Sequence, residues 1–564
     1  MPLDAGLRDA VHAWLGADPD ADDRAELAAL LVAADSDGAP RASAATELED
    51  RFSASLRFGT AGIRGPMRAG PNGMNTATVR RAAAGLASVL PPGASVAVGF
   101  DGRHRSRAFA RSCAAVLAGA GCRVGLLPEP VPTPLLAFAV RHRGLAAGVM
   151  ITASHNPGRD NGIKVYLGAE PGRPENGAQL VPPADSHVED AIGRVAAAAA
   201  LIDGEPGELD PAALAEDYLD AVLAGVPVHA AAARELRVAY TPMHGVGAAL
   251  LHAAFARAGL PAPMVVAAQA EPDPNFPTVP FPNPEEPGAL DLLRRLVLDE
   301  KADLGIASDP DADRCAVVVP TSDGDARALT GDELGVLLGD ATLAHRPGPV
   351  ATTVVSSTML AALAAAADVP CTMTLTGFKW LVRARPAPRF AYEEALGYAV
   401  LPDVVADKDG ISAALAITAR AAELRQRGAT LLDRLDELAR AHGVHATDAL
   451  SVRVSSAQAA EEVMTRLRER PPDELAGRST TRFDDLRKPA DGLPPADAVR
   501  LQLGDDARVV LRPSGTEPKL KAYLQVVVPV TADQPDGLTE ARRTAAAVLA
   551  ALRDDVEALL RQVS

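Results

Sequence analysis

One pattern recurs three times along the chain and narrows its fold more than any other feature. In "SVAVGFDGRHRSRAFARSCAAVLAGAGCRVGLLP" an apolar β run, a polar turn, an amphipathic helix closed by Gly121 and a second β run follow one another. The stretch "LRVAYTPMHGVGAALLHAAFARAGLPAPMVV" repeats that order, with Gly259 closing the helix, and "PVATTVVSSTMLAALAAAADVPCTMTLTGFKW" repeats it more loosely. Strands alternating with helices of about 10 to 15 residues predict βαβ units and mixed, mainly parallel sheets, an α/β fold. After each unit comes a further apolar strand ending in an unusual loop: "GVMITASHNP", "LGIASDPDADR" and "FAYEEALGY". In open α/β sheets the loops at the carboxyl ends of strands carry ligands, so three similar domains would each offer one loop to a shared central cleft.

The last stretch breaks the pattern. "ALSVRVSS", a helix around "AEEVMTRLRER", the run "ARVVLRPSGTEPKLKAYLQVVV" and a long terminal helix predict a C-terminal α+β domain. At 564 residues the chain is too long for one core. The expected domains are 1–205, with an N-terminal helical extension, then 206–325, 326–445 and 446–564. "PGRPENGAQLVPPADS" reads as a surface excursion of the first domain.

Charge and cysteine usage exclude several classes. A formal net charge of -17 repels nucleic acid and anionic membranes, while leaving room for a local phosphate pocket. The start is acidic and amphipathic rather than a signal peptide, and no apolar stretch is long enough to span a bilayer. Cys113, Cys122, Cys315 and Cys371 contain no Cys-x-x-Cys pair, so a soluble protein of the reducing cytoplasm is expected. Only seven of the 56 basic residues are lysines, and Lys164, Lys379, Lys408, Lys519 and Lys521 fall in or beside the motifs below. Those positions call for a compact ammonium or a titratable amine.

The loops read as chemistry. "DPDADR" puts Asp309, Asp311 and Asp313 at alternate positions after a strand, where they repel one another unless a cation neutralises them, and all-oxygen ligation suits Mg²⁺. A calcium loop of the EF-hand type fails, because Arg314 and Pro320 stand where it needs Gly and Glu. In "LRPSGTEPK", Arg512, Ser514, Gly515 and Thr516 form a candidate anion nest with Lys519 and Lys521 nearby. "FGTAGIRGPM", with Arg64, and "GFDGRHRS", with Arg103, are weaker anion turns. Glu393 and Glu394 of "YEEALGY" suit the hydroxyls of a polyol, and "TASHNP" holds one hydroxyl, Ser154, beside one imidazole, His155. Each loop alone also reads as an ordinary solvated turn. Together they supply a nucleophile, a metal site, a phosphate clamp and a hydroxyl reader, which describes phosphoryl transfer on a sugar phosphate.

In that order and at those separations, "TASHNP", "DPDADR", the "EE" loop and "RPSGTEP" resemble the α-D-phosphohexomutase superfamily over nearly the whole chain. "TLTGFKW", "GYAV" and "DKDGISAAL" resemble its phosphopentomutase-like branch in particular. The resemblance implies four domains around a central cleft and a phosphorylated Ser154 in the resting enzyme. It implies one Mg²⁺ per chain on Asp309, Asp311 and Asp313 together with the Ser154 phosphoryl group, and Arg314 beside them. Arg512, Ser514, Gly515 and Thr516 would hold the nonreacting phosphate, Glu393 and Glu394 the sugar. Arg64, His155, Lys164 and Lys408 would line the reacting centre, with His155, Lys164 or Lys408 as base.

The implied activity interconverts sugar 1- and 6-phosphates of glucose or mannose, primed by a sugar bisphosphate, in a monomer or homodimer with small-molecule partners only. Many members carry Glu-x-Ser in the sugar-reading loop, whereas Ala395 stands here in place of the Ser. Transfer between the 1- and 5-positions of ribose or deoxyribose is therefore the alternative. A sugar phosphatase using Asp309 as nucleophile and a noncatalytic sugar-phosphate sensor are the readings from other classes.

Overall fold

A computed structural model describes residues 3–59, 62–195, 197–229, 233–489, 492–514, 519–531 and 536–563. They fall into two compact units, one within Met1–Ala230, Arg234–Arg327 and Leu401–Leu415, the other built mainly from Ala328–Val400 and Ala416–Ser564. No helix among the described residues is long and apolar enough to cross a membrane.

In the first unit the threefold pattern becomes a repeated sheet. After β1 (Ile63–Pro66), β2 (Ser95–Phe100) pairs in parallel with β3 (Arg123–Leu126) on one side and β4 (Ala147–Ile151) on the other. β5 (Asp160–Leu167) then returns antiparallel to β4, and β1 runs antiparallel beside β5. β6 (Ala178–Gln179) and β7 (Gly207–Glu208) extend the sheet on β5 and β3. Every residue of β4 is buried, as a central strand covered on both faces requires. The helix Ser106–Gly119 buries Phe109, Ala110, Cys113, Ala114 and Leu117 on one stripe. It stops where Gly121 takes φ 89° and the Cys122 N–H donates to the Leu117 carbonyl.

The second sheet repeats the plan. β8 (Val238–Thr241) lies parallel to β9 (Met264–Val265) and to β10 (Leu304–Ser308). β11 (Cys315–Pro320) returns antiparallel to β10, and β12 (Ala326–Ala328) lies at its edge. The expected surface excursion is half right: 169–173 are exposed, but 176–180 are buried and return as β6. Before the first sheet, the helices Ala5–Ala17, Ala21–Ala34 and Ala39–Phe52 close around Val11, Leu27, Leu31 and Leu48.

In the second unit β13 (Val350–Thr353) is parallel to β14 (Cys371–Thr374) and β15 (Phe390–Glu393), with β16 (Gly397–Ala399) antiparallel to β15. The C-terminal sheet is wholly antiparallel. It comprises β17 (Val444–Arg453), β18 (Glu474–Leu475), β19 (Arg478–Asp485), β20 (Val499–Leu503), β21 (Ala507–Pro513) and β22 (Lys519–Val528), in the order 17-22-21-20-19-18. The helices Ala457–Glu469 and Gly537–Val563 complete this α+β part.

Two glycines let other backbones close on the loop that follows β10. A Cβ on Gly245 would lie 2.4 Å from Pro310 Cα, and one on Gly410 would lie 2.3 Å from the Arg314 carbonyl oxygen. Neither neighbour is a side chain that could swing away. Gly410→Ala should therefore cost about 1 to 3 kcal/mol in denaturant unfolding, as overpacking does. Gly193→Ala, in a helix with nothing within 4 Å of the added Cβ, should be neutral or stabilising.

Candidate active site

The loop after β4 turns sharply at Ser154, whose φ of 53° is uncommon for a residue with a Cβ. The Ser154 N–H donates to Thr152 Oγ1 at 2.8 Å, which helps hold the turn. Ser154 is 1% exposed. Its Oγ donates to Asp309 Oδ2 at 2.7 Å and lies 3.1 Å from His155 Nδ1. Burial first, then Arg314 and Arg64, keeps the His155 ring well below the ordinary imidazole range, so the ring is uncharged. Arg64, on β1, donates to Asn156 Oδ1 at 3.3 Å from across the loop.

Asp309, Asp311 and Asp313 are fully buried and present one oxygen each within 4.8 Å of one another. Lys164, on β5, donates to Asp311 Oδ2 and to Asp313 Oδ2, both at 2.6 Å. Thr133 Oγ1 also donates to Asp311 Oδ2 at 2.6 Å, and the Arg314 N–H to Asp309 Oδ1 at 3.0 Å. The Arg314 guanidinium pairs with Glu285 at 3.0 Å. Burial, with Asp311 and Asp313 beside it, pushes Asp309 up to about 8. Burial also pushes Asp313 up, but Lys164, Lys408 and Arg314 outweigh it and the carboxyl stays below its usual range. The Oδ1 atoms of Asp311 and Asp313 are buried with no hydrogen-bond partner. Two orphaned charged acceptors beside a third carboxylate fit a small, hard cation bound through oxygen.

Lys408 arrives on a loop clamped at both ends. Its Nζ lies 3.3 Å from Asp313 Oδ2 and 3.6 Å from Asp407 Oδ1. Tyr166 and Gln179 donate to Asp407 Oδ2 at 2.9 and 2.6 Å, while Tyr218 and the Ser412 N–H donate to Asp409. Sequence reading missed Thr133, Tyr166 and Gln179, because each meets its carboxylate only through space.

In the second unit, Glu393 accepts from the Gly377 N–H at 3.1 Å. Glu394 turns back to β13 and beyond, accepting from Thr353 Oγ1 at 3.2 Å and Ser356 Oγ at 3.0 Å. Arg512, near the end of β21, donates to the Tyr523 hydroxyl at 3.1 Å and lies over that ring. The Ser514 N–H donates to the Lys519 carbonyl at 2.8 Å, which closes the base of the turn. Gly515 and Thr516 lie outside the described residues. Arg103, read from the sequence as a weak anion turn, uses its guanidinium on backbone carbonyls instead.

Family models for the phosphoglucomutase/phosphomannomutase α/β/α domains I, II and III match residues 55–198, 216–324 and 330–441, and that for the C-terminal domain matches 452–532. The chain belongs to the phosphoglucomutase/phosphomannomutase family. Among relatives of this family, a Haemophilus influenzae protein named "Probable phosphomannomutase" is 42% identical over 80% of this chain and 93% of its own length. The phosphopentomutase of Homo sapiens is 33% identical over 87% of this chain and 88% of its own length. A crystal structure of a phosphoglucomutase/phosphomannomutase family protein from Burkholderia thailandensis shares the fold, with a TM-score of 0.67 at 21% identity over 90% of this chain and 97% of that one.

Two outcomes follow for this family member. Lys164→Met removes both buried ion pairs and leaves two carboxylates facing each other, which should cost about 3 to 5 kcal/mol in the metal-free protein. A divalent cation should then raise the melting temperature of the variant more than that of the parent; an equal rise in both would contradict the charge account. Glu394 is pushed up to about 7 by burial first, then by Glu393 and Asp332. A carboxyl that holds its proton more tightly when folded stabilises fully below its unfolded value of about 4.3, and that contribution is lost as the pH rises through about 7. Glu394→Gln should therefore lose less melting temperature than the parent between about pH 5 and about pH 8.

Proposed function

We propose that this chain interconverts the 1- and 6-phosphates of glucose or mannose, with Ser154 as covalent carrier. The observation that carries the reading is Ser154 Oγ, 2.7 Å from Asp309 Oδ2 in a buried loop of three carboxylates. Phosphoserine 154 gives its phosphoryl group to O6 of a sugar 1-phosphate: the Ser154 Oγ–P bond breaks as the O6–P bond forms, and the O6 proton ends on Ser154 Oγ, to be handed to O1 in the return step. The resulting 1,6-bisphosphate turns over, its O1 phosphoryl group returns to Ser154 Oγ, and the 6-phosphate departs. A sugar bisphosphate primes an unphosphorylated chain.

One Mg²⁺ per chain would be held by Asp309, Asp311, Asp313 and the phosphorylated Ser154, and when bound would neutralise charge on the moving group. His155, with Nδ1 3.1 Å from Ser154 Oγ, exchanges the proton there. Lys164 and Lys408, both paired with carboxylates, act as fixed positive charges. Arg64 and Arg314 line the reacting centre. Arg512, Ser514, Gly515 and Thr516 hold the nonreacting phosphate, and Glu393 reads the sugar hydroxyls beside Glu394. The four cysteines are free, which supports a reducing, cytoplasmic setting.

Ala395 favours a second reading, transfer between the 1- and 5-positions of ribose or deoxyribose. Incubation with glucose 1,6-bisphosphate should add the mass of one phosphoryl group, mapped to Ser154, and Ser154→Ala should lower turnover by at least about 10²- to 10³-fold. Phosphate on Asp309, or release of inorganic phosphate without isomerisation, would overturn the mutase reading. A kcat/KM preference for pentose 1-phosphates above about a hundredfold would move the assignment to the pentomutase.

A further inference from the structure

Arg103 follows β2 and is 4% exposed. Its Nη2 donates to the carbonyl oxygens of Ser154 at 2.6 Å and Asn156 at 2.5 Å. Its Nη1 donates to those of Pro157 at 2.9 Å and Asp160 at 3.1 Å. Nε faces Asp101 Oδ2 at 3.3 Å, and the guanidinium lies over the Phe276 ring at 5.0 Å. Asp101 is fixed in turn, accepting from Ser106 Oγ at 2.7 Å and from the Arg103 N–H at 3.0 Å. Both terminal nitrogens of the fork are thus engaged on loop carbonyls, and Nε, which makes no hydrogen bond, is closed off against Asp101, so the guanidinium is not presented to a substrate anion.

Carbonyl oxygens from Ser154, Asn156, Pro157 and Asp160 repel one another unless a cation lies among them. A non-glycine backbone held at positive φ costs about 1 to 3 kcal/mol and persists only where its surroundings over-determine it. Ser154 has that backbone, and the direction of its Oγ follows from it. The guanidinium supplies both the charge and the planar set of donors, at the nucleophile's own carbonyl.

Resting on the reading of Ser154 as phosphoryl carrier, we propose that Arg103 is the positioning residue for that nucleophile, its guanidinium fixing the loop backbone that aims Ser154 Oγ at the carboxylate cluster. An ammonium has three donors on one point and cannot reach four separated carbonyls, so Arg103→Lys keeps the charge and loses the geometry. Misplacing a reacting atom by about 1 Å costs about 10²-fold, so Arg103→Lys should lower kcat by about 10- to 100-fold, and the single-turnover rate of Ser154 phosphorylation from glucose 1,6-bisphosphate by the same factor. KM should stay within about threefold, because phosphate and sugar contacts are untouched, and Mn²⁺ affinity should be unchanged.

Ser154 phosphorylated at the parental rate in Arg103→Lys would overturn the positioning role alone. Mn²⁺ affinity falling in proportion to kcat would overturn it as well, since the cluster itself would have collapsed. A parent chain that never carries phosphate at Ser154 would instead overturn the function reading, and this role with it. Should Arg103→Lys fail to fold, Asp101→Asn is the variant to measure, because it removes the charge that faces Arg103 and leaves the guanidinium's own contacts to the Ser154 loop available. The same pattern at smaller size supports the role, and an unchanged phosphorylation rate overturns it.

Discussion

Burying three carboxylates within one short loop is the constraint on which the first unit depends. Each ionised carboxylate carries a desolvation cost of several kcal/mol, and the mutual repulsion adds to it. The chain answers with groups from far apart in sequence. Lys164 comes from β5, opposite Met150 of β4 in the sheet register, Lys408 from the segment 401–415, and Thr133 from the start of the helix Thr133–His142. Gly245 and Gly410 let two further backbones approach the loop at distances that a Cβ would forbid. A compact ammonium reaches two carboxylate oxygens at once where a guanidinium would be too broad, which gives the scarce lysines of an arginine-rich chain a physical role.

The same address in three sheets carries three different chemistries. Each repeat places its third strand next to the first and returns antiparallel, so the connecting loop leaves the carboxyl end of a buried strand. A chain that reverses there within a few residues needs a left-handed backbone. Each loop supplies one at a residue with a Cβ: Ser154 at φ 53°, Ala312 at 56° and Leu396 at 59°. In the first of these the strained residue is also the nucleophile proposed here, and that makes the support of its backbone a chemical matter as well as a structural one.

The threefold pattern, the α+β character of the last domain and the aspartate cluster were legible because each is written in local spacing. What the spacing could not carry is partnership across the chain. "GFDGRHRS" and "FGTAGIRGPM" look alike as Gly-rich turns with an arginine, and both arginines turn out to serve the Ser154 loop, Arg103 through its backbone carbonyls and Arg64 through the Asn156 side chain. Within "PGRPENGAQLVPPADS", residues 176–180 have exposed-loop composition but are buried, and Gln179 there donates to Asp407, a pairing no local window contains. The packing of 401–415 within the first unit is equally invisible, since the sequence around it continues the third repeat without a break in composition.

The loop proposed to read the sugar belongs to a chain whose relatives carry names from both hexose and pentose chemistry. Glu393 is tied to the Gly377 N–H, and Glu394 to two hydroxyls at the carboxyl end of β13 and just beyond it. Both carboxylates are thus anchored within their own part of the chain. Replacing the serine hydroxyl by Ala395 then subtracts one hydrogen bond from an otherwise fixed frame, a change of about 0.5 to 1.5 kcal/mol. That is roughly a three- to tenfold difference between substrates, large enough to tilt a preference and too small to exclude a sugar.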